Sequence, residues 1–141
     1  MARMRYLVSV LGATLLATSC GGSQPPTGPS EPAVPPPIVT DTFDGQLTVN
    51  GAAAHPFVVG RAGALSATLT AIEPEAAIIG LSLGTWNAGS NVCQIILAND
   101  AAPGGATIVG TASVAGNFCV RVNDVGKLTA TAAYFLTVQH Y

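Results

Sequence analysis

From about Asp41 to Tyr141 the chain repeats one pattern: short runs of alternating apolar and polar residues, each closed by Gly, Asn, Asp or Pro. "ALSATLTA" is representative, with Leu65, Ala67, Leu69 and Ala71 alternating with Ser66, Thr68 and Thr70. "GQLTVNG" places Leu47 and Val49 on one face, and "HPFVVG" does the same with Phe57 and Val59. "VCQIILAN", "GATIVGTA", "NFCVRVN" and "AYFLTVQHY" continue in that style. Side chains of a strand alternate between two faces, so a period of two predicts half-buried strands. Turn signals at intervals of about ten residues predict a β-sandwich or barrel of about eight strands. The best helix candidate, "EPEAAIIGLSLG", is carried toward strand by its β-branched residues, its alternation and its glycines. A chain of 141 residues has room for one such core and no second.

The first twenty residues follow different rules. "MARMRYLVSVLGATLLATSC" opens with Arg3 and Arg5, continues through an uncharged apolar run from Tyr6 to Ala17, and ends in small residues before Cys20. This is the layout of a secretory signal, and the run is short for a membrane-spanning helix. Leu16-Ala17-Thr18-Ser19-Cys20 resembles the lipobox of bacterial lipoproteins, with alanine at 17 where leucine is commonest. That resemblance implies cleavage after Ser19, a diacylglyceryl group on the Cys20 thiol and acylation of the new amine. Two or more acyl chains anchor stably where one does not. Gly21 stands where some lipoproteins carry a retention aspartate, so the expected address is the outer membrane of the bacterial envelope.

Residues 20–40 read as a lipidated cysteine and a tether. "GGSQPPTGPSEPAVPPPIVT" holds seven prolines and three glycines in twenty residues and little that could enter a core. Such a segment reaches ~60 Å when extended in polyproline II. The expected organisation is therefore signal peptide 1–19, anchor and tether 20–40, and folded domain 41–141.

Charge narrows the partners. The formal net charge is −2, and after loss of Arg3 and Arg5 three basic residues face seven acidic ones. No basic field exists to attract nucleic acid.

Several residues could carry chemistry. "GLSLG" at 80–84 fits the G-x-S-x-G elbow of serine hydrolases, which would make Ser82 a nucleophile. The elbow needs a helix after the serine, and "TWNAGSN" reads as a turn instead. The alternation offers a simpler account, in which Gly80, Ser82 and Gly84 form the small polar face of a half-buried strand. His55 precedes Pro56 and His140 is penultimate; both are weak triad candidates. Cys93 and Cys119, outside the cytoplasm, are expected to form a disulfide closing a loop of 26 residues.

Asp41, Asp44, Asn99, Asp100, Asn123 and Asp124 could supply oxygen ligands to calcium, but their spacing matches no calcium loop. Turn chemistry explains them equally well, so no metal or cofactor is expected. Trp86, the single tryptophan, could stack on a sugar, anchor a protein, or cap the sandwich core. "PGGAT" at 103–107 lacks the lysine of a phosphate loop and reads as a hairpin loop.

"ASVAGNFCVRVNDVG" followed by "AAYFLTVQHY" resembles the end of bacterial pre-peptidase C-terminal (PPC-like) domains, with Gly116, Phe118, Val120 and Val122 and then Tyr134, Leu136 and Val138 at the matching positions. "FDGQLTVNGAAAHPFVVGRAGALSATLTA" is similar to their opening strands, although "AAIIGLSLG" replaces the usual acidic start of the middle strand. The resemblance implies a jelly-roll-like antiparallel β-sandwich acting as an accessory, non-catalytic module. The expected role is binding or structural, toward cell-wall glycan or another envelope protein. The alternatives are a carbohydrate-binding or adhesive surface module and, further off, a hydrolase using Ser82.

Overall fold

The computed structural model describes residues 34–141, so the expected signal peptide, Cys20 and most of the tether lie outside the described residues. Residues 35–141 form one compact unit containing eight strands. These are β1 (Val39–Leu47), β2 (Ala52–Val59), β3 (Gly63–Glu73), β4 (Ile79–Asn87), β5 (Val92–Ala102), β6 (Thr107–Ala112), β7 (Gly116–Asn123) and β8 (Ala132–His140). The first strand begins two residues before the expected boundary at Asp41, because Val39 and Thr40 already pair with His140 and Gln139.

The strands form two four-stranded sheets, β1-β8-β3-β6 and β2-β7-β4-β5, with all pairings antiparallel. Only β4 and β5 are a sequential hairpin; β3 pairs with β6, β2 with β7 and β1 with β8. The chain is thus folded at its midpoint and wound back on itself, which is the jelly-roll order. The midpoint turn is built by Asn87, whose Oδ1 accepts the N–H groups of Gly89 and Ser90, and by Asn91 at φ 52°. Asparagine tolerates that left-handed conformation better than most side chains.

Alternation supplies the core. Leu65, Ala67 and Leu69 of β3, Tyr134, Leu136 and Val138 of β8, and Val120 and Val122 of β7 are all buried between the sheets. β4 contributes Ile79, Leu81 and Leu83. Among the described residues, 35–141 contain all eight strands, this whole core and the disulfide, so they are a self-contained folding unit.

Two local expectations need correction. Val49 does not share a buried face with Leu47; it lies 44% exposed in the turn between β1 and β2, where Gly51 N–H bonds back to Thr48 O and Asn50 adopts φ 56°. "PGGAT" is a turn but not a hairpin loop. It carries the chain from β5 in one sheet to β6 in the other, held by Gly105 and Ala106 N–H bonds to Leu69 O and Pro103 O.

Candidate functional site

Ser82 sits in the middle of β4, between Arg121 of β7 and Ala98 of β5, in a strand that continues to Asn87. No helix follows it. It is 2% exposed, which corrects the expectation of a half-buried strand with an open polar face. The Gly80-Ser82-Gly84 column is roofed: the Asn123 side chain lies over Gly80, and the β5 main chain lies over Gly84. Small residues stand here because neighbouring groups need the room.

The two histidines are committed elsewhere. His55 of β2 faces inward, its Nε2 2.9 Å from the Tyr134 hydroxyl and its ring stacked on Phe43 at 4.9 Å. Burial holds its pKa below the ordinary histidine range, and the nearby Asp44 carboxylate opposes that only in part. Burial, assisted by Asp44, raises the Tyr134 phenol above its ordinary value. His140 is buried with its Nε2 3.0 Å from Asp41 Oδ2, and its ring stacks on Phe57. Each pairing ties a strand of one sheet to the other sheet or to an edge strand. Neither brings a histidine to Ser82.

Four of the six residues weighed as calcium ligands, Asp41, Asn99, Asn123 and Asp124, have structural partners. Asp124 Oδ1 accepts N–H bonds from Gly126, Lys127 and Leu128, and its Oδ2 accepts that of Asn50. The Asn50 bond, with those of the following loop, lowers its carboxyl pKa against the opposing effect of desolvation. Asn99 Oδ1 accepts the Ala101 N–H, and Asn123 lies against Arg121. Among the described residues, no three His, Cys, Asp or Glu side chains converge.

Cys93 and Cys119 form the expected disulfide. Trp86 pairs in register with Cys93, two residues beyond Gly84, which pairs with Cys119. It therefore stands partly exposed beside the disulfide, outside the cluster of core side chains, and does not cap the core.

The more regular surface is on the other sheet. Thr42 of β1, Thr137 of β8, Thr68 of β3 and Thr107 of β6 are mutual register partners, forming one rank across all four strands. The Thr68 and Thr107 hydroxyls are 2.8 Å apart, and Thr70 joins Thr137 at 2.9 Å. The rank on one side reads Thr40, Gln139, Ser66 and Val109. On the other side stands Phe135, paired with Asp44 and Ala71 and 51% exposed. Thr42, Asp44, Thr70 and Thr137 line a shallow depression around it.

Sequence reasoning singled out Trp86 and missed this face. Its threonines were visible as the polar half of several runs, but which threonine stands beside which depends on pairings between strands far apart in sequence, such as Thr42 with Thr137 or Val39 with His140. No known family model matches the sequence, and no curated protein is significantly similar to it.

Proposed function

We propose that the chain is a non-catalytic bacterial envelope lipoprotein, anchored through lipid on Cys20 and presenting its β-sandwich as a binding module. The observation that carries the binding role is the outer face of β1-β8-β3-β6: a half-exposed Phe135 set among the hydroxyls of Thr42, Thr70 and Thr137. An exposed aromatic ring with hydroxyls around it combines an apolar face and polar partners, the pairing that recognition uses. The buried Ser82 and the separate commitments of His55 and His140 support a non-catalytic reading over a hydrolase. The order of charge, apolar run and small residues before Cys20 supports the anchor. The PPC-like pattern of the last two strands supports an accessory module. No cofactor or metal is required by this role, and calcium is not part of it.

Two measurements test the reading. Radiolabelled palmitate should enter the full chain in a bacterial host, and Cys20→Ala should abolish both labelling and membrane fractionation. Residues 35–141 should co-sediment with isolated cell envelopes, and Phe135→Ala should lose most of that co-sedimentation. A chain that takes no lipid removes the lipoprotein assignment. A domain that stays in the supernatant removes the binding role. Covalent capture of Ser82 by a serine-directed phosphonate would restore the hydrolase alternative.

A further inference from the structure

Resting on that binding role, we infer that the Phe135 face takes a neutral, extended polysaccharide laid across the strands. Three observations on this face point to one ligand chemistry.

Charge excludes acidic polymers and offers basic ones only scattered partners. Strands β1, β8, β3 and β6 contain no lysine or arginine; Asp44 lines the depression, and Glu73 stands on β3 two residues beyond Ala71, the register partner of Phe135. A polyanion would find no cation to pair with and like charge to oppose it. A polycation would find two separate carboxylates, Asp44 and Glu73, and no repeating row of them. A neutral polymer meets no penalty.

Hydrogen-bonding capacity then selects for hydroxyl-rich chains. A threonine hydroxyl offers one donor and two acceptor sites. In each hydroxyl pair, Thr68 with Thr107 and Thr70 with Thr137, one donor is spent on the partner. The other donor and the remaining lone pairs face outward, so the surface both gives and accepts bonds. Sugars do the same. Phe135 adds what hydroxyls alone lack: an apolar ring that can lie against the C–H face of a pyranose. The Asp44 carboxylate, register partner of Phe135, is placed to accept two hydroxyls of the same sugar.

Spacing sets the direction. Adjacent strands lie about 4.8 Å apart, so the four threonines of the Thr42-Thr137-Thr68-Thr107 rank repeat at that interval and span roughly 14 Å. That interval is close to the advance per sugar of an extended β-linked chain. A polysaccharide running across the strands therefore meets one threonine per strand over four positions, the Thr68 and Thr107 hydroxyls acting as one joined pair. A chain running along a strand would meet alternate residues at a longer and mismatched repeat.

The test uses residues 35–141 and microcrystalline cellulose and chitin as neutral β-linked probes. Dextran serves as an α-linked control and alginate as an acidic one. The expected result is retention on at least one β-linked polymer and on neither control. Phe135→Ala should weaken retention at least tenfold, and Thr68→Val several-fold, since valine keeps the strand and removes the hydroxyl. Trp86→Ala, on the opposite sheet, should bind as the parent does, and circular dichroism should show all three variants folded. Loss with Trp86→Ala but not with Phe135→Ala would overturn the assignment to this face. Equal retention on alginate would overturn the charge argument. Failure on every neutral polymer, with Phe135-dependent envelope sedimentation intact, overturns the polysaccharide and leaves the binding module standing.

Discussion

Cys119 and Cys93 are bonded across a strand that lies between them. Cys119 is on β7 and Cys93 on β5, with β4 separating the two in the sheet. Two strand intervals would ordinarily put the Cα atoms about 9.5 Å apart, yet they are 5.8 Å apart. The difference is made at Gly84, where the register with β5 shifts and the β5 main chain folds over the glycine.

Gly84 is therefore expected to be intolerant of any side chain. A Cβ there would overlap the Gln94 carbonyl oxygen and stand 3.0 Å from Ile95 Cα, both main-chain atoms that cannot rotate away. Gly84→Ala should destabilise the domain by about 2–4 kcal/mol. Replacing both cysteines by serine should cost about 3–4 kcal/mol through the 26-residue loop. In that disulfide-free background, Gly84→Ala should cost clearly less, because β5 is free to draw back. Urea denaturation of the four proteins in a double-mutant cycle reads the coupling directly. Additive losses would show that the close approach of β5 does not depend on the disulfide.

His55 makes stability depend on pH. Its folded-state pKa lies below the unfolded value of 6.5, because burial against Phe43 and Tyr134 penalises the cation. Between the two values the unfolded chain binds more protons, so stability rises with pH in that window. The contribution is complete above about pH 6.5 and is lost as pH falls through the folded pKa. Thermal melts at pH 7.5 and 5.5 should show a lower Tm at 5.5 in the parent and a smaller difference in His55→Gln. An unchanged difference would place the pH response elsewhere.

What was legible in the sequence was whatever depends on neighbours along the chain. Leu65-Ala67-Leu69 announced a strand and its buried face, and the β4 alternation correctly made Ser82 a strand serine. The cysteine pairing was also accessible, because Cys93 and Cys119 are the two cysteines of residues 41–141. What escaped depends on register between distant strands. Ser82 alternates as a half-exposed residue would, and only the placement of Asn123 and the β5 backbone buries that column. Val49 continued the Leu47 alternation, but an Asn-Gly turn ended the strand first. The threonine rank needed four strands in register before it existed.

Asp124 is expected to act as a clasp rather than a ligand. Its carboxylate joins the turn between β1 and β2, through Asn50, to the loop between β7 and β8, through Gly126, Lys127 and Leu128. Asp124→Ala should lower Tm and increase amide exchange at those four residues while leaving the core amides protected. Because its folded pKa is lowered, the clasp contributes fully above the ordinary carboxyl value of 3.8, and that contribution is lost as pH falls from there through the lower folded value. The parent should thus lose stability on acidification that Asp124→Asn, already without the charge, does not. Millimolar calcium should leave the Tm of both unchanged.

Of the edge strands, β5 exposes the longest apolar run. Ile95, Ile96 and Leu97 are 41%, 65% and 39% exposed, and no charge interrupts the strand before Asp100. The edges at the other flank are guarded, β1 by Asp41 and Asp44 and β2 by Pro56, devices that discourage strand addition. On β5 the protection is the bulge at Ile96, where the register with β4 shifts and regular pairing is broken. Ile96→Lys should therefore leave stability within about 0.5 kcal/mol of the parent, since the side chain is mostly in water. It should also delay light scattering on prolonged incubation at high protein concentration and elevated temperature. Deleting Ile96 should do the reverse, straightening the edge and accelerating association. If Ile96→Lys aggregates at the parental rate, the bulge alone suffices and the apolar side chains are not the contacts through which copies associate.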